Sequence, residues 1–164
     1  MVDVSLDDGQ LFTFPEELYR ALFRVRDPAR SQLLFADSIC INQTDEREKS
    51  LQVRMMRQIY QKARHVLIFL GDQDAHLAQS AFHLASQIRA QRLDELPMPN
   101  AGAWGELIQL FDRPWFGRVW CLQEVVLSRS AEVIWGPASA PWGDIGFVAA
   151  WICNVGYKVL VVWL

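Results

Sequence analysis

The stretch His65-Val-Leu-Ile-Phe-Leu-Gly-Asp72 is an uninterrupted apolar run that stops at a glycine and an acid. Runs without alternating polar residues are typical of strands covered on both faces, as in parallel sheets. The run follows a helical pattern that ends near Arg64 and precedes a second one from Ala75 to Arg92. A buried strand between two helices predicts an α/β protein.

On the N-terminal side of this strand, the sequence predicts a hairpin followed by a helix. Val2 to Phe14 alternates apolar and polar residues around Asp8-Gly9, a strong signal for a two-residue β-hairpin. Pro15 suits the first helical position, and Asp27-Pro28 ends the helix.

Leu33-Leu-Phe-Ala-Asp37 predicts a short buried strand that ends on an acid, followed by a loop over 38–44. Asp45 and Glu48 have the spacing of a capping box, so the next helix begins there and continues to about Arg64.

On the C-terminal side, three further helices and one strand are predicted. The helices cover Trp104 to Phe111, Trp115 to Leu127 and Trp142 to Cys153, and the strand covers Ala131 to Trp135 before Gly136-Pro137. This order favours a mostly parallel sheet flanked by helices.

Composition narrows the class of protein. The chain has 164 residues, a length typical of one domain, and a net charge of −3. Its basic residues are dispersed, whereas binding to nucleic acid needs them concentrated on one face. The apolar segment from Phe147 to Leu164 is interrupted by Asn154 and Lys158, which disfavours a membrane span.

The cysteines and histidines give no sign of a disulfide framework or a metal site. Cys40, Cys121 and Cys153 lie far apart among apolar neighbours, which indicates buried, reduced thiols in a cytoplasmic protein. The three histidines lack the spacing of zinc ligands, so no metal is expected.

Glu124 lies on a segment where, from Val119 to Leu127, every residue except Gln123 and Glu124 is apolar. A carboxylate in such surroundings must be paired, protonated or open to a polar cleft. One interpretation is a structural ion pair with Arg113 or Arg118, and the other is a catalytic or ligand-binding acid.

A second set of candidates follows the predicted strand at Leu33. Ligands of open α/β sheets bind beyond the carboxyl ends of the strands, which is where Asp37, Asn42 and Gln43 are expected. The two amides would suit recognition of a ribose or an amide, and they would equally suit bracing of the loop. Asp37 has the alternative role of capping the turn.

Four blocks of sequence occur in the order found in the fungal heterokaryon incompatibility (HET) domain. They are Asp37-Ser-Ile-Cys-Ile-Asn-Gln43, Gln52-Val-x-x-Met-x-x-Ile-Tyr60, Val66-Leu-Ile-Phe-Leu-Gly71 and Arg113-Pro-Trp-Phe-x-Arg-Val-Trp-x-x-Gln-Glu124. The chain resembles this family, which acts in self/non-self recognition and programmed cell death. The family is distantly similar to TIR domains, so the resemblance implies a TIR-like, flavodoxin-like fold.

The resemblance also implies a chemistry. Trp120-Cys-Leu-Gln-Glu124 is similar to the helix of plant TIR domains that carries the catalytic glutamate of NAD glycohydrolases. By this similarity Glu124 is the candidate catalytic residue and Asp37 a second one, with NAD as a substrate. Asn42, Gln43, Arg118 and Trp120 are the ligand-binding candidates. The expected partners are other signalling proteins or further copies of the chain, so a non-enzymatic assembly module is the alternative.

The resemblance predicts a HET domain over residues 1–136 and a helix with an apolar tail over 137–164. Family members usually begin with a strand that carries Ser-Tyr-x-Trp-Gly, and this chain begins after it. The usual Leu-Trp-Ile-Asp-Ala is here Leu34-Phe-Ala-Asp-Ser38. These departures predict a truncated product, and an inactive fragment is a further alternative.

Overall fold

A computed structural model describes residues 1–5, 11–118 and 121–154 of the chain. The predicted turn at Asp8-Gly9, the candidate Trp120 and the apolar tail after Asn154 lie outside these residues. The chain divides into two compact units, Met1–Ile59 and Tyr60–Leu164.

The first unit begins with the predicted hairpin strands. Strands β1 (Val2–Ser5) and β2 (Leu11–Phe14) pair antiparallel, with Val2 opposite Phe14. Helix α1 (Glu16–Val25) follows Pro15 directly and ends just before Asp27-Pro28, as predicted. Two acidic residues in its first turn and Arg24 in its last turn have the charges that the helix dipole favours.

The predicted strand at Leu33–Asp37 is wrong. Residues 31–36 have no regular secondary structure, and Asp37 begins a short helix, α2 (Asp37–Cys40). Leu33 is fully exposed, with a relative accessibility of 102%. An apolar run becomes a strand only when a neighbouring strand supplies its backbone hydrogen bonds, and no strand of the described chain pairs with this one.

Helix α3 (Glu46–Lys62) confirms the predicted start and, within two residues, the predicted end. The side-chain oxygen Oδ1 of Asp45 accepts hydrogen bonds from the backbone N–H groups of Arg47 (2.9 Å) and Glu48 (3.0 Å). The reciprocal bond of a capping box is absent from the described contacts, because the Glu48 carboxylate accepts from the N–H of Asn42 (3.1 Å) instead.

The second unit contains a three-stranded mixed sheet in the order β3-β4-β5. Strands β3 (Val66–Phe69) and β4 (Ala131–Trp135) are parallel, whereas β4 and β5 (Ala138–Pro141) are antiparallel. The α/β class is confirmed, but a mostly parallel, TIR-like sheet is not. Strand β5 was not predicted, since Ala-Ser-Ala-Pro lacks the β-branched and aromatic residues that indicate a strand.

The described helices of this unit are α4 (Ala75–Arg89), α5 (Gly102–Phe111), α6 (Cys121–Val126) and α7 (Trp142–Asn154). The single helix predicted over Trp115–Leu127 is wrong in its first part. There the chain forms a tight 3₁₀ turn, Pro114–Gly117, before residues 119 and 120 and helix α6. Proline suits the start of such a turn because its missing N–H would have no partner there.

The core of the second unit lies where α4 packs against α5, α7 and β5, and where α7 packs on β4 and β5. Its largest fully buried side chains are Trp135, Ile68, Leu84, Ile88, Leu107, Leu110, Ile145, Val133 and Val148.

Strand β3 departs from the expectation that both of its faces are covered. Val66 and Ile68 are buried on one face, but Leu67 on the other face is 36% exposed. Among the helices in the described ranges, none combines the length and the hydropathy that a membrane span requires.

Candidate functional site

The hydrogen bond between Trp115 and Glu124 defines the candidate site. Oxygen Oε2 of Glu124 accepts the indole N–H of Trp115, with 3.1 Å between the heavy atoms. Trp115 is buried, and the Glu124 side chain is only 13% exposed. A buried indole N–H usually has an acceptor, and a carboxylate out of water requires donors, so each group satisfies the other.

Arg118 is the nearer of the two expected ion-pair partners, but it does not form a tight pair. Its Nη2 lies 3.9 Å from Oε1 of Glu124, and its side chain is 57% exposed. A strong arginine–carboxylate pair has two parallel bonds shorter than 3 Å. Within the described ranges, Oε1 therefore accepts no short hydrogen bond.

Arg113, the other expected partner, is engaged elsewhere. Its Nη2 lies 2.7 Å from Oδ2 of Asp74, the residue before α4, and its guanidinium carbon lies 4.3 Å from the ring centre of Trp135 in β4. The ion pair and the cation–π contact connect the start of α4 to the sheet. The arginine at 113 thus has a structural role, and Glu124 is not its partner.

An aromatic cluster, formed by Phe111, Trp115, Phe116 and Trp142, holds the indole donor in place. The Trp115 ring lies 5.1 Å from that of Phe116 and 5.5 Å from that of Trp142, both in edge-on geometry. Each such pair contributes about 0.5–1.5 kcal/mol beyond its buried area. The position of Trp115, and with it Oε2 of Glu124, is therefore set by packing from α5 and α7.

The second set of candidates lies in the first unit and braces a loop. Asp37 begins α2, so it does not end a strand, and its Oδ1 accepts from the N–H of Ser38 at 2.7 Å. The side-chain N–H₂ of Gln43 donates to the carbonyl oxygens of Asp37 (3.0 Å) and Ile41 (3.2 Å). Ile41 is buried, which fixes the middle of the loop.

Asn42 closes a turn of the same loop. Its side-chain oxygen accepts from the N–H of Thr44 at 3.1 Å and from the Thr44 hydroxyl at 2.7 Å. This is the local turn that asparagine favours. Of the two alternatives for these amides, bracing of the loop is the one the structure contains.

The candidates thus form two groups, one in each unit. Trp115 is the residue that sequence reasoning missed, although a tryptophan near the apolar carboxylate was a usable signal, because a buried indole N–H usually has an acceptor. Over residues 1–5, 11–118 and 121–154, no group of three or more His, Cys, Asp or Glu side chains has the arrangement of a metal site. The prediction of buried thiols is wrong for Cys40 and Cys153, which are exposed.

Comparison with a family model and comparison with individual known proteins point to the same family. The family model described as "Heterokaryon incompatibility protein (HET)" matches residues 2–124, from β1 into α6. A relative from Neurospora crassa, "Heterokaryon incompatibility protein 6, OR allele", is 58% identical over 38 residues. That stretch is 23% of this chain and 6% of the relative, so the match spans a small part of the longer protein. No solved structure matches the chain.

Proposed function

The chain belongs to the heterokaryon incompatibility (HET) family, and we propose that it acts in fungal self/non-self recognition through hydrolysis of NAD at Glu124. The observation that carries this proposal is the bond from Trp115 to Oε2 of Glu124. A neutral indole fixes the carboxylate without supplying a compensating positive charge. Among the described residues, the cation near the second oxygen, Oε1, is the exposed Arg118, at 3.9 Å.

This arrangement suits stabilisation of a developing positive charge. When the bond between the ribose C1′ and the nicotinamide nitrogen breaks, its electron pair leaves with nicotinamide and the ribose gains oxocarbenium character. A fixed, ionised carboxylate stabilises that charge, and the C1′ then takes the oxygen of water while a proton is released. Glu124 would contact the ribose through Oε1, because Oε2 is held by Trp115.

The candidates of the first unit have a smaller part in the proposal. Asp37 is a candidate acid through the family resemblance alone, and its Oδ1 already accepts the Ser38 N–H. Asn42 and Gln43 would act by holding the loop that carries Asp37. Replacement of Asp37 by asparagine should therefore reduce activity less than replacement of Glu124 by glutamine.

The test is the loss of NAD in the presence of the purified chain. We expect Glu124→Gln to lower the rate at least about a hundredfold, since it removes the charge that stabilises the transition state while retaining an acceptor for Trp115. Glu132→Gln is the matched control, because Glu132 is a carboxylate of the same unit with 37% exposure. Equal rates for Glu124→Gln and the unchanged chain, or no NAD loss in a chain that still triggers incompatibility, would refute the hydrolase.

A second candidate function, a non-enzymatic assembly module that signals cell death, is favoured by a different observation. The first unit exposes many large apolar side chains, among them Leu33 (102%), Leu51 (52%) and Val53 (49%). Extensive exposed apolar surface is typical of protein interaction sites. Light scattering should then show assembly that Leu33→Asp weakens, and a monomer at all concentrations would contradict this role.

A further inference from the structure

A groove in the first unit lies between the hairpin and helix α1. Its volume is about 270 Å³, and it is lined by Phe14, Tyr19, Leu22, Phe23 and Arg26. Three of these five side chains are aromatic. Phe14 of β2 is buried, whereas Tyr19 and Phe23 of α1 are 38% and 53% exposed.

The aromatic rings of this groove are held at a fixed spacing by the helix. Tyr19 and Phe23 are four residues apart on α1, so they lie on one face, and their ring centres are 6.3 Å apart at an angle of 33°. Two tilted rings beside a buried phenylalanine form a surface that excludes water from a flat or linear apolar molecule.

Arg26 places a positive charge at the edge of the groove. Its guanidinium carbon lies 4.0 Å from the ring centre of Phe23, in the stacked position of a cation–π contact. The guanidinium forms no ion pair with a carboxylate in the described ranges of the chain. By contrast, Arg20 on the same helix is paired with Glu16 at 2.6 Å.

We propose that this groove binds a small organic carboxylate, with its apolar body against Phe14, Tyr19 and Phe23 and its carboxylate on Arg26. The charge complementarity follows from the described lining residues, among which there is one cation and no acid. A planar guanidinium presents paired N–H donors that match the two oxygens of a carboxylate. The groove is smaller than the roughly 300–1,000 Å³ of sites for drug-sized ligands, which limits the apolar body to a medium-length alkyl chain or one or two rings.

This site shares none of its lining residues with the proposal for NAD. Neither Glu124 nor Asp37 is among the side chains that line the groove, and the groove needs no chemistry on its ligand. The proposal therefore stands or falls independently of hydrolysis.

Decanoate is a suitable probe, and the full chain labelled with ¹⁵N is the sample. Titration should shift the amide signals of α1 and β2, and the dissociation constant should follow from those shifts. Arg26→Gln should raise that constant about fivefold, because a charge-assisted pair at a partly exposed site is replaced by a neutral contact. Arg30→Gln, an exposed arginine of the same unit outside the groove, should leave it unchanged.

Two further measurements distinguish the contribution of the charge to binding from that of the apolar surface. Decanol, which has the same chain length and no charge, should bind at least about fivefold more weakly than decanoate. Phe23→Ala should weaken both probes, and its exposed position makes it compatible with folding. The proposal is overturned if decanol binds as tightly as decanoate, if Arg30→Gln has the effect of Arg26→Gln, or if no signal of α1 or β2 shifts below the micelle concentration.

Discussion

The two units of the chain differ in what holds their described residues in place. In the second unit the side chains of α4, α5, α7 and the sheet form one continuous core, in which Leu84, Trp135 and Ile145 are at most 1% exposed. Among the described residues of the first unit, Phe14 and Ile41 are the buried apolar side chains. That unit relies on local hydrogen bonds, such as the Asp45 cap and the Asn42 turn.

The difference shows that one chain uses two kinds of stabilisation. Burial of apolar surface stabilises a fold by about 25 cal/mol for each Å² removed from water, so this stabilisation grows with the area that neighbouring side chains cover. A helix cap contributes about 1 kcal/mol to stability, and this contribution comes from local hydrogen bonds and not from packing of the rest of the unit. The four predictions below test this contrast, from the largest expected effect to the smallest.

The largest effect is expected from the same substitution made in both units. Leu84→Ala leaves a cavity in the core of the second unit and should lower the free energy of unfolding by about 2–5 kcal/mol. Leu51→Ala, at a leucine of α3 that is 52% exposed, should change it by no more than about 0.5 kcal/mol. Urea unfolding followed by circular dichroism measures both, and similar losses would show that the first unit also has a core.

Trp115→Phe tests whether the site depends on the indole donor. The substitution retains an aromatic ring but leaves the Glu124 carboxylate without its short hydrogen bond, which should cost about 1–3 kcal/mol. A double-mutant cycle with Glu124→Leu measures the interaction itself. Strict additivity of the two single changes would show that the bond contributes nothing.

Asp45→Ala tests the local stabilisation of the first unit. Loss of the two hydrogen bonds to the start of α3 should cost about 1 kcal/mol. The backbone amides of Arg47 and Glu48 should then exchange several-fold faster with deuterated water. Glu46→Ala is the matched control, since it removes a neighbouring acid that makes no cap bond, and equal acceleration in both variants would contradict the cap.

The smallest effect is expected for Arg118→Gln. At 57% exposure and 3.9 Å from Oε1 of Glu124, the arginine should contribute less than about 0.5 kcal/mol to stability. If it instead contacts the substrate, the change should raise the KM for NAD while leaving the free energy of unfolding unaltered. A loss of more than about 1 kcal/mol would restore the structural ion pair as the main role of Glu124.

Prediction from sequence succeeded where the signal was local. The proline before α1, the aspartate before α3 and the apolar run of β3 each carry their information within a few residues, and the elements are found where they were expected. It failed at Leu33–Asp37, where an equally apolar run is not a strand. Periodicity reports what a segment is able to form, whereas a strand also requires a partner edge.

The candidate site shows the same division. That Glu124 needed a partner followed from its apolar neighbours alone, and the two arginines were the obvious choices. The partner found is an indole nine residues earlier, across a tight turn that the helical pattern did not reveal. For Asp37, Asn42 and Gln43 the sequence left open both ligand binding and bracing of the loop, and the described contacts are those of bracing.

By itself the sequence determined the family, the α/β class, most of the helices and the requirement that Glu124 be satisfied. These properties depend on residue types and on spacing along the chain, which local physical rules connect to structure. The tertiary structure decided the mixed sheet, the open groove beside α1, and the choice of Trp115 over Arg113 and Arg118. Those outcomes depend on which distant groups meet in space, because a hydrogen bond or a strand pairing forms only where packing brings donor and acceptor within about 3 Å.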